Sequence, residues 1–330
     1  MHPVGKAGGM SASDEERHGV RLTHLDQELF SGAGVSKRDL VDYLDAVADR
    51  VLPALADRPL SVMRVLRGQE AFMQKNLPKY TPEWVPRTRM WAESSRRTVT
   101  YGLCNDRRTL LWFGNQRAVE LHPALTRVGQ DGPAELIMDL DPPEGAPFGV
   151  AVAAARLVRQ ALADVGLSGA LKTSGAKGVH VFVPLAAGQS FVDVAAATRA
   201  VGVRAERLDP DLATTAFIRE DRHGKVFLDS TRAGGATVAA VYSPRIRPGA
   251  PVSFPVRWAD ADAVMPTDFT VRTAPGLLGD TDPWAEELPA PQQLPADLVA
   301  EGYTIPVARV AAMHEGKRRA KARRESSADE

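Results

Sequence analysis

The chain holds one cysteine, Cys104, in 330 residues, so an intramolecular disulfide framework is excluded and the usage fits a reducing cytoplasm. Clustered histidine and cysteine ligands for zinc are missing as well. Lysine plus arginine and aspartate plus glutamate both number 41, and this neutral balance counts against extensive binding along a DNA duplex. No apolar run approaches the roughly 20 residues of a membrane span, and the N-terminus around Ser11–Arg17 lacks a signal-peptide core. There is no internal repeat. What remains is a chain with 44% hydrophobic residues, enough to bury a substantial core as one large domain or two lobes.

Within it, Asp139-Leu140-Asp141 places two carboxylates one residue apart at the end of the apolar run Leu136-Ile137-Met138. Alternate side chains of a strand share a face, about 6 to 7 Å apart along the backbone, so both acids can reach toward one cation. Pro142-Pro143 stops the strand, which predicts that the acids lie at an exposed strand end. Taken alone, the pair is equally an ordinary strand terminus. Some thirty residues on, Ser174-Gly175-Ala176-Lys177-Gly178-Val179-His180 leads into the apolar run Val181-Phe182-Val183. Its glycines let backbone amides approach phosphate oxygens, and Ser174, Lys177 and His180 add donors or charge, so the loop reads as a phosphate cradle, although its spacing is not that of a P-loop and, taken alone, a glycine loop is more often a mere turn. A third element, Lys225-Val226-Phe227-Leu228-Asp229, is another apolar strand ending in an acid. Three aspartates at strand ends are the hard oxygen donors that a site for two Mg2+ or Mn2+ ions requires, one riding on a triphosphate and the other activating a hydroxyl.

This series, Asp139-Leu-Asp141, Ser174-Gly-x-Lys177-Gly-x-His180 and Asp229, resembles the three motifs of the archaeo-eukaryotic primase superfamily, and more closely the polymerase domain of bacterial ligase D and its stand-alone actinobacterial relatives. The likeness runs from about Leu22 to Leu278 and includes Leu22-Thr-His-Leu-Asp26, Phe72-Met-Gln-Lys-Asn76, Glu120-Leu-His122-Pro and Tyr242–Pro251. The resemblance implies an α+β catalytic core, two facing β-sheets flanked by helices, with the metal site in the cleft. It implies Asp139, Asp141 and Asp229 as metal ligands and catalytic acids. Ser174, Lys177, Gly178 and His180 would hold a nucleoside triphosphate, with Arg232, Arg245 and His122 near the nucleotide. Lys37 would bind the 5'-phosphate of a recessed DNA end, and Phe72 with Met73 would lie against the template, where base stacking contributes roughly 1 to 3 kcal/mol per ring. The implied activity is template-dependent addition of nucleotides, preferentially ribonucleotides, to primer 3'-hydroxyls at short gaps or breaks. The implied partners are DNA primer-template or DNA ends, a separate DNA ligase, since Lys-x-Asp-Gly is missing, and an end-binding protein. The expected location is the cytoplasm, at the nucleoid. Two other classes fit the same acids: a non-catalytic DNA-end-bridging module that keeps a nucleotide pocket, and a metal-dependent nuclease.

The chain departs from that family at three places. Gln27 stands where a second phosphate-binding lysine is usual, Met73 replaces a second phenylalanine, and Ser230-Thr231 follows the third aspartate where Tyr-Leu is common. Without the resemblance, Lys37 reads as a solvated residue in a first helical turn, Phe72 as core, His122 as a turn histidine, and Arg245 with Arg247 as surface cations.

Local patterning predicts mixed architecture. Residues 1–19 are polar and glycine-rich and read as disordered, 20–305 as the catalytic domain, and 306–330, with Lys317-Arg318-Arg319, as a basic tail. Ser36 with Asp39 resembles a capping box, predicting a helix over 37–52 that Pro53 ends. Thr98–Leu103 and Thr109–Phe113 read as a hairpin across Asn105-Asp106, and 150–165 and 190–203 as helices.

Overall fold

The computed structural model describes residues 14–92, 96–232 and 237–307. An N-terminal hairpin pairs β1 (Glu15–Arg17) with β2 (Val20–Leu22) across His18 and Gly19, both at positive φ. The segment expected to be disordered therefore holds a strand as far as it is described; residues 1–13 lie outside the described residues.

The first large sheet comprises β3 (Pro59–Arg64), β4 (Phe72–Gln74), β5 (Arg87–Ala92), β6 (Arg97–Leu103) and β7 (Ala118–Pro123), with β3 central between β7 on one side and β4 and β6 on the other. The second has six strands in the order β11 (Ala213–Thr214), β12 (Val226–Asp229), β8 (Glu135–Asp141), β10 (Val179–Pro184), β9 (Ala170–Thr173), β13 (Pro255–Val256). Its central strands alternate. Leu136, Met138 and Leu140 of β8 and Val181 and Val183 of β10 join one apolar cluster with α4 (Phe148–Ala163) and α5 (Phe191–Leu208). Ile137 and Phe182, on the opposite face, join a second cluster with β3, β7, α1 (Lys37–Ala46), α2 (Ala48–Leu55) and α3 (Arg107–Asn115). The face that carries Ile137 is by parity the face that carries Asp139 and Asp141, so the acids look toward the first sheet. Two facing sheets flanked by helices are thus the observed fold. The short helices α6 (Ala274–Leu278) and α7 (Pro283–Glu287) and then α8 (Ala296–Thr304), which packs on α5, complete it. No described helix is long and apolar enough to cross a membrane.

The hairpin expected across Asn105-Asp106 does not form. β6 pairs with β5, and 107–115 is helical because the Asp106 carboxylate caps it, accepting from Thr109 N–H at 2.7 Å. The helix predicted over 37–52 is interrupted at Val47, whose N–H closes α1 onto Tyr43 and Asp45 carbonyls, and Pro53 falls inside α2 instead of ending it. The Ser36–Asp39 capping box is present, and α4 and α5 match the helices expected at 150–165 and 190–203 within a few residues.

Candidate nucleotide and metal site

The strand register builds the site. Asp139 on β8 lies directly opposite Asp229 on β12 and directly opposite His180 on β10, while Asp141 is two residues further along β8 on the same face. The acids are not at an exposed end: Asp139 and Asp229 are 8% and 5% exposed, and only Asp141 is half-buried. Arg232 bridges the pair, its Nη2 at 2.9 Å from Asp139 Oδ2 and its Nε at 3.2 Å from Asp229 Oδ2. Thr231 donates from N (2.8 Å) and Oγ1 (2.6 Å) to Asp229 Oδ1, so the Ser230-Thr231 departure serves the acid's orientation.

The two carboxylates of β8 are shifted in opposite directions. Burial alone would raise the pKa of Asp139, but His180, Arg232 and Lys172 more than offset it and hold it at about 2. Asp141 is pushed up from the ordinary value by burial and by repulsion from Asp139, with Asp229 adding to it. Among the described residues no group of three or more His, Cys, Asp or Glu side chains is poised to hold a metal ion as the structure stands, and the Arg232 guanidinium occupies the space between two of the acids. The donor set itself fits a hard divalent ion: carboxylate oxygens only, on one face, with a cation already drawn between them.

Beside the acids runs the Ser174–Gly178 turn. Ser174 N donates to Gly178 O (2.9 Å), and the Ser174 hydroxyl accepts from Ala176 N and Gly178 N, both at 3.2 Å. Glycine is required twice. A Cβ on Gly178 would meet Leu140 O at 2.3 Å, and Gly175, at φ +70°, would meet Arg245 Cγ at 2.6 Å. Lys177 is exposed, 3.3 Å from Glu144 Oε2, and joins Asp141, Arg219, Arg222 and Lys225 around a cavity of about 250 Å³. His180 lies within β10 instead of the loop; Nε2 is 3.2 Å from Asp139 Oδ1 and Nδ1 is 2.7 Å from Lys172 Nζ, so both ring nitrogens are engaged inside the protein. Burial and Lys172 lower its pKa to about 4, leaving a neutral imidazole.

Arg245 ties the two sheets together. It donates to Ser174 O at 2.6 Å and lies 3.1 Å from Glu120 Oε1, while Glu120 Oε2 meets His122 Nε2 at 2.9 Å. Glu120 is held at about 2 despite burial by His122 and Arg245. His122 is thus a buried strand residue of β7, not a turn histidine, and its Nδ1 meets no hydrogen-bond partner among the described residues. Arg245 is likewise no plain surface cation.

The outer residues separate from this cluster. Phe72 and Met73 are 36% and 40% exposed on β4, not core. Lys37 is buried, not solvated: Nζ donates to Thr23 O (2.6 Å) and Asn115 Oδ1 (2.7 Å), and burial with nearby Arg117 lowers its pKa to about 8. Gln27 Oε1 accepts from Arg117 Nη2 at 2.9 Å, and Gln27, Arg67 and Arg117 line one cavity of about 630 Å³. The sequence reading missed Lys172, Glu120, Arg117 and the Arg219, Arg222 and Lys225 cations. For Lys172 the signal was its place two residues before Ser174 in an apolar strand. The basic tail around Lys317 lies outside the described residues.

Facing sheets flanked by helices, with paired carboxylates beside a glycine turn and a cation-lined cavity, define an α+β class of protein. The chain belongs to the family described as LigD, primase-polymerase domain, whose model matches residues 36–284. It is 35% identical over 265 residues to the multifunctional non-homologous end joining DNA repair protein LigD of Mycobacterium tuberculosis, covering 77% of this chain and 34% of that protein. It is 32% identical over 259 residues to the bifunctional non-homologous end joining protein LigD of Bacillus subtilis, covering 77% of this chain and 41% of that protein. The chain therefore spans about a third to two fifths of the curated relatives it matches. Among solved structures, the polymerase domain from Mycobacterium tuberculosis ligase D in complex with DNA superposes with a TM-score of 0.75 at 32% identity, over 83% of this chain and 98% of that one.

Proposed function

We propose that the chain is a template-dependent nucleotidyltransferase that extends primer 3'-hydroxyls at short gaps or broken DNA ends, with a preference for ribonucleotides. One observation carries the reading: Asp139, Asp141 and Asp229 share one face of the sheet beside the Ser174–Gly178 cradle, in a chain of the LigD primase-polymerase family. Asp139, Asp141 and Asp229 would hold two divalent ions, Mg2+ or Mn2+. When bound, such ions lower the pKa of an attacking hydroxyl and neutralise phosphate charge. The Ser174–Gly178 turn, with Lys177 and the cations around the neighbouring cavity, would bind the triphosphate and orient the α-phosphorus. The 3'-oxygen forms the new bond to that phosphorus, the bond to pyrophosphate breaks with its electron pair leaving on pyrophosphate, and the hydroxyl proton goes to solvent. Arg232 supplies charge to the phosphates once drawn off the acids. Arg245 and Glu120 fix the cradle against β7, and His122, whose Nδ1 meets no partner among the described residues, would sit beside the nucleotide sugar. Phe72 and Met73 present exposed apolar surface for a template base. A DNA ligase activity and an end-binding protein are the expected partners.

Incubation with Mn2+, labelled primer-template and each nucleotide tests this. A lengthened primer supports it. An unchanged primer points to a bridging module and a shortened one to a nuclease.

A further inference from the structure

Lys172 is 0% exposed in the middle of β9, and the reaction above has no use for it. Burying an ammonium is costly unless its donors are all placed. The register sets Lys172, His180, Asp139 and Asp229 in one row across four strands. Hydrogen-bond directions along that row follow from the neighbours. The Ser253 hydroxyl donates to Thr173 O at 2.7 Å, so its oxygen must accept from Lys172 Nζ. The same Nζ lies 5.2 Å from the centre of the Phe182 ring and 2.7 Å from His180 Nδ1. The Asp139 carboxylate can only accept, so the ring proton lies on Nε2, aimed at Oδ1 at 3.2 Å, and Nδ1 is left to accept from Lys172 Nζ. One oxygen of Asp139 is thereby held, and Oδ2 is turned toward Arg232, where a cation is drawn.

We propose that Lys172 is a positioning residue for Asp139: by fixing His180 as the Nε2–H tautomer it holds one carboxylate oxygen and presents the other to the metal site. The proposal rests on Asp139 being a metal ligand, and acts as partners behind metal-bound groups commonly do.

Nitrogen-15 spectra of the metal-free 330-residue chain test it without catalysis. His180 should show a protonated Nε2 and an unprotonated Nδ1; the Nδ1–H tautomer would overturn the proposal, because Lys172 could not then be its donor. In Lys172→Met the ring should lose this preference, and calorimetric titration with Mn2+ alone should show roughly 10- to 100-fold weaker binding. Equal Mn2+ affinity with an unchanged tautomer in Lys172→Met would also overturn it. If the unmodified protein itself bound no Mn2+, the metal-ligand reading would fail and this proposal with it, a result distinct from either of the others. Should Lys172→Met not fold, the tautomer in the unmodified protein decides.

Discussion

Arg232 bridges Asp139 and Asp229, two of the acids proposed to hold divalent ions, so its removal should have opposite effects on metal and nucleotide. The guanidinium lies 2.9 Å from Asp139 Oδ2 and 3.2 Å from Asp229 Oδ2, with its side chain 33% exposed. At an effective dielectric of about 20, unit charges 3 Å apart attract by roughly 5 kcal/mol. Solvent at the exposed third of the side chain and the cost of ordering it reduce this to about 1 to 2 kcal/mol net. An incoming ion must displace that interaction. Arg232→Gln should therefore raise Mn2+ affinity, measured by calorimetry without nucleotide, by roughly 5- to 30-fold, since 1.4 kcal/mol is tenfold. The same change should lower the stability of the metal-free protein by about 1 to 2 kcal/mol, because two carboxylates buried side by side lose their counter-charge. It should raise the KM for nucleoside triphosphate. Unchanged or weaker Mn2+ binding in Arg232→Gln would refute the reasoning, since the arginine would then not be competing for the cation position.

Asp139→Asn and Asp141→Asn should each abolish primer extension while urea unfolding stays cooperative; extension near the unmodified rate in either would remove that acid from the site. Gly178→Ala drives a Cβ against the Leu140 carbonyl and should cost roughly 1 to 3 kcal/mol in urea unfolding, together with weaker nucleotide binding; a neutral effect would show that β8 yields there. Lys37 titrates near pH 8 in the fold against 10.5 ordinarily, so between those values the unfolded chain binds more protons and stability rises with pH, by up to about 3 kcal/mol. Lys37→Met should flatten that rise in urea unfolding at pH 8 and pH 10, and an identical slope in both proteins would count against it. Because Arg117, not Lys37, stays charged in alkali and sits beside Gln27, any preference for a 5'-phosphorylated gap should persist at pH 9.5 and fall in Arg117→Leu; its loss between pH 8 and pH 9.5 in the unmodified protein would restore the role to Lys37.

Parts of the site were legible because they are local. Asp139 and Asp141 share a face by strand parity, and the Ser174–Gly178 turn announces itself by small residues around a lysine. What pairs strands 90 residues apart is not local: that Asp229 faces Asp139, or that Arg245 joins Glu120 to Ser174, depends on registers set by the packing of both sheets. Lys172 shows the same limit, since a lysine in an apolar strand gains meaning only once His180 lies beside it. Around Asn105-Asp106 two signals competed. Thr109, Trp112 and Phe113 favour strands, but the Asp106 cap and the burial of Leu110, Leu111 and Phe113 on the core decided for a helix. Lys37 looked like a surface residue because charge usually is; here Thr23 and Asn115 provide the acceptors that let it be buried.

The most direct test of the central claim is a crystal structure with Mn2+ and a non-hydrolysable nucleoside triphosphate, with the ions located by anomalous scattering. The account predicts two Mn2+ peaks among Asp139, Asp141 and Asp229, the Arg232 guanidinium moved off the acids, and the phosphates against the Ser174–Gly178 turn. Mn2+ bound elsewhere, or Arg232 still bridging Asp139 and Asp229 with nucleotide present, would contradict it.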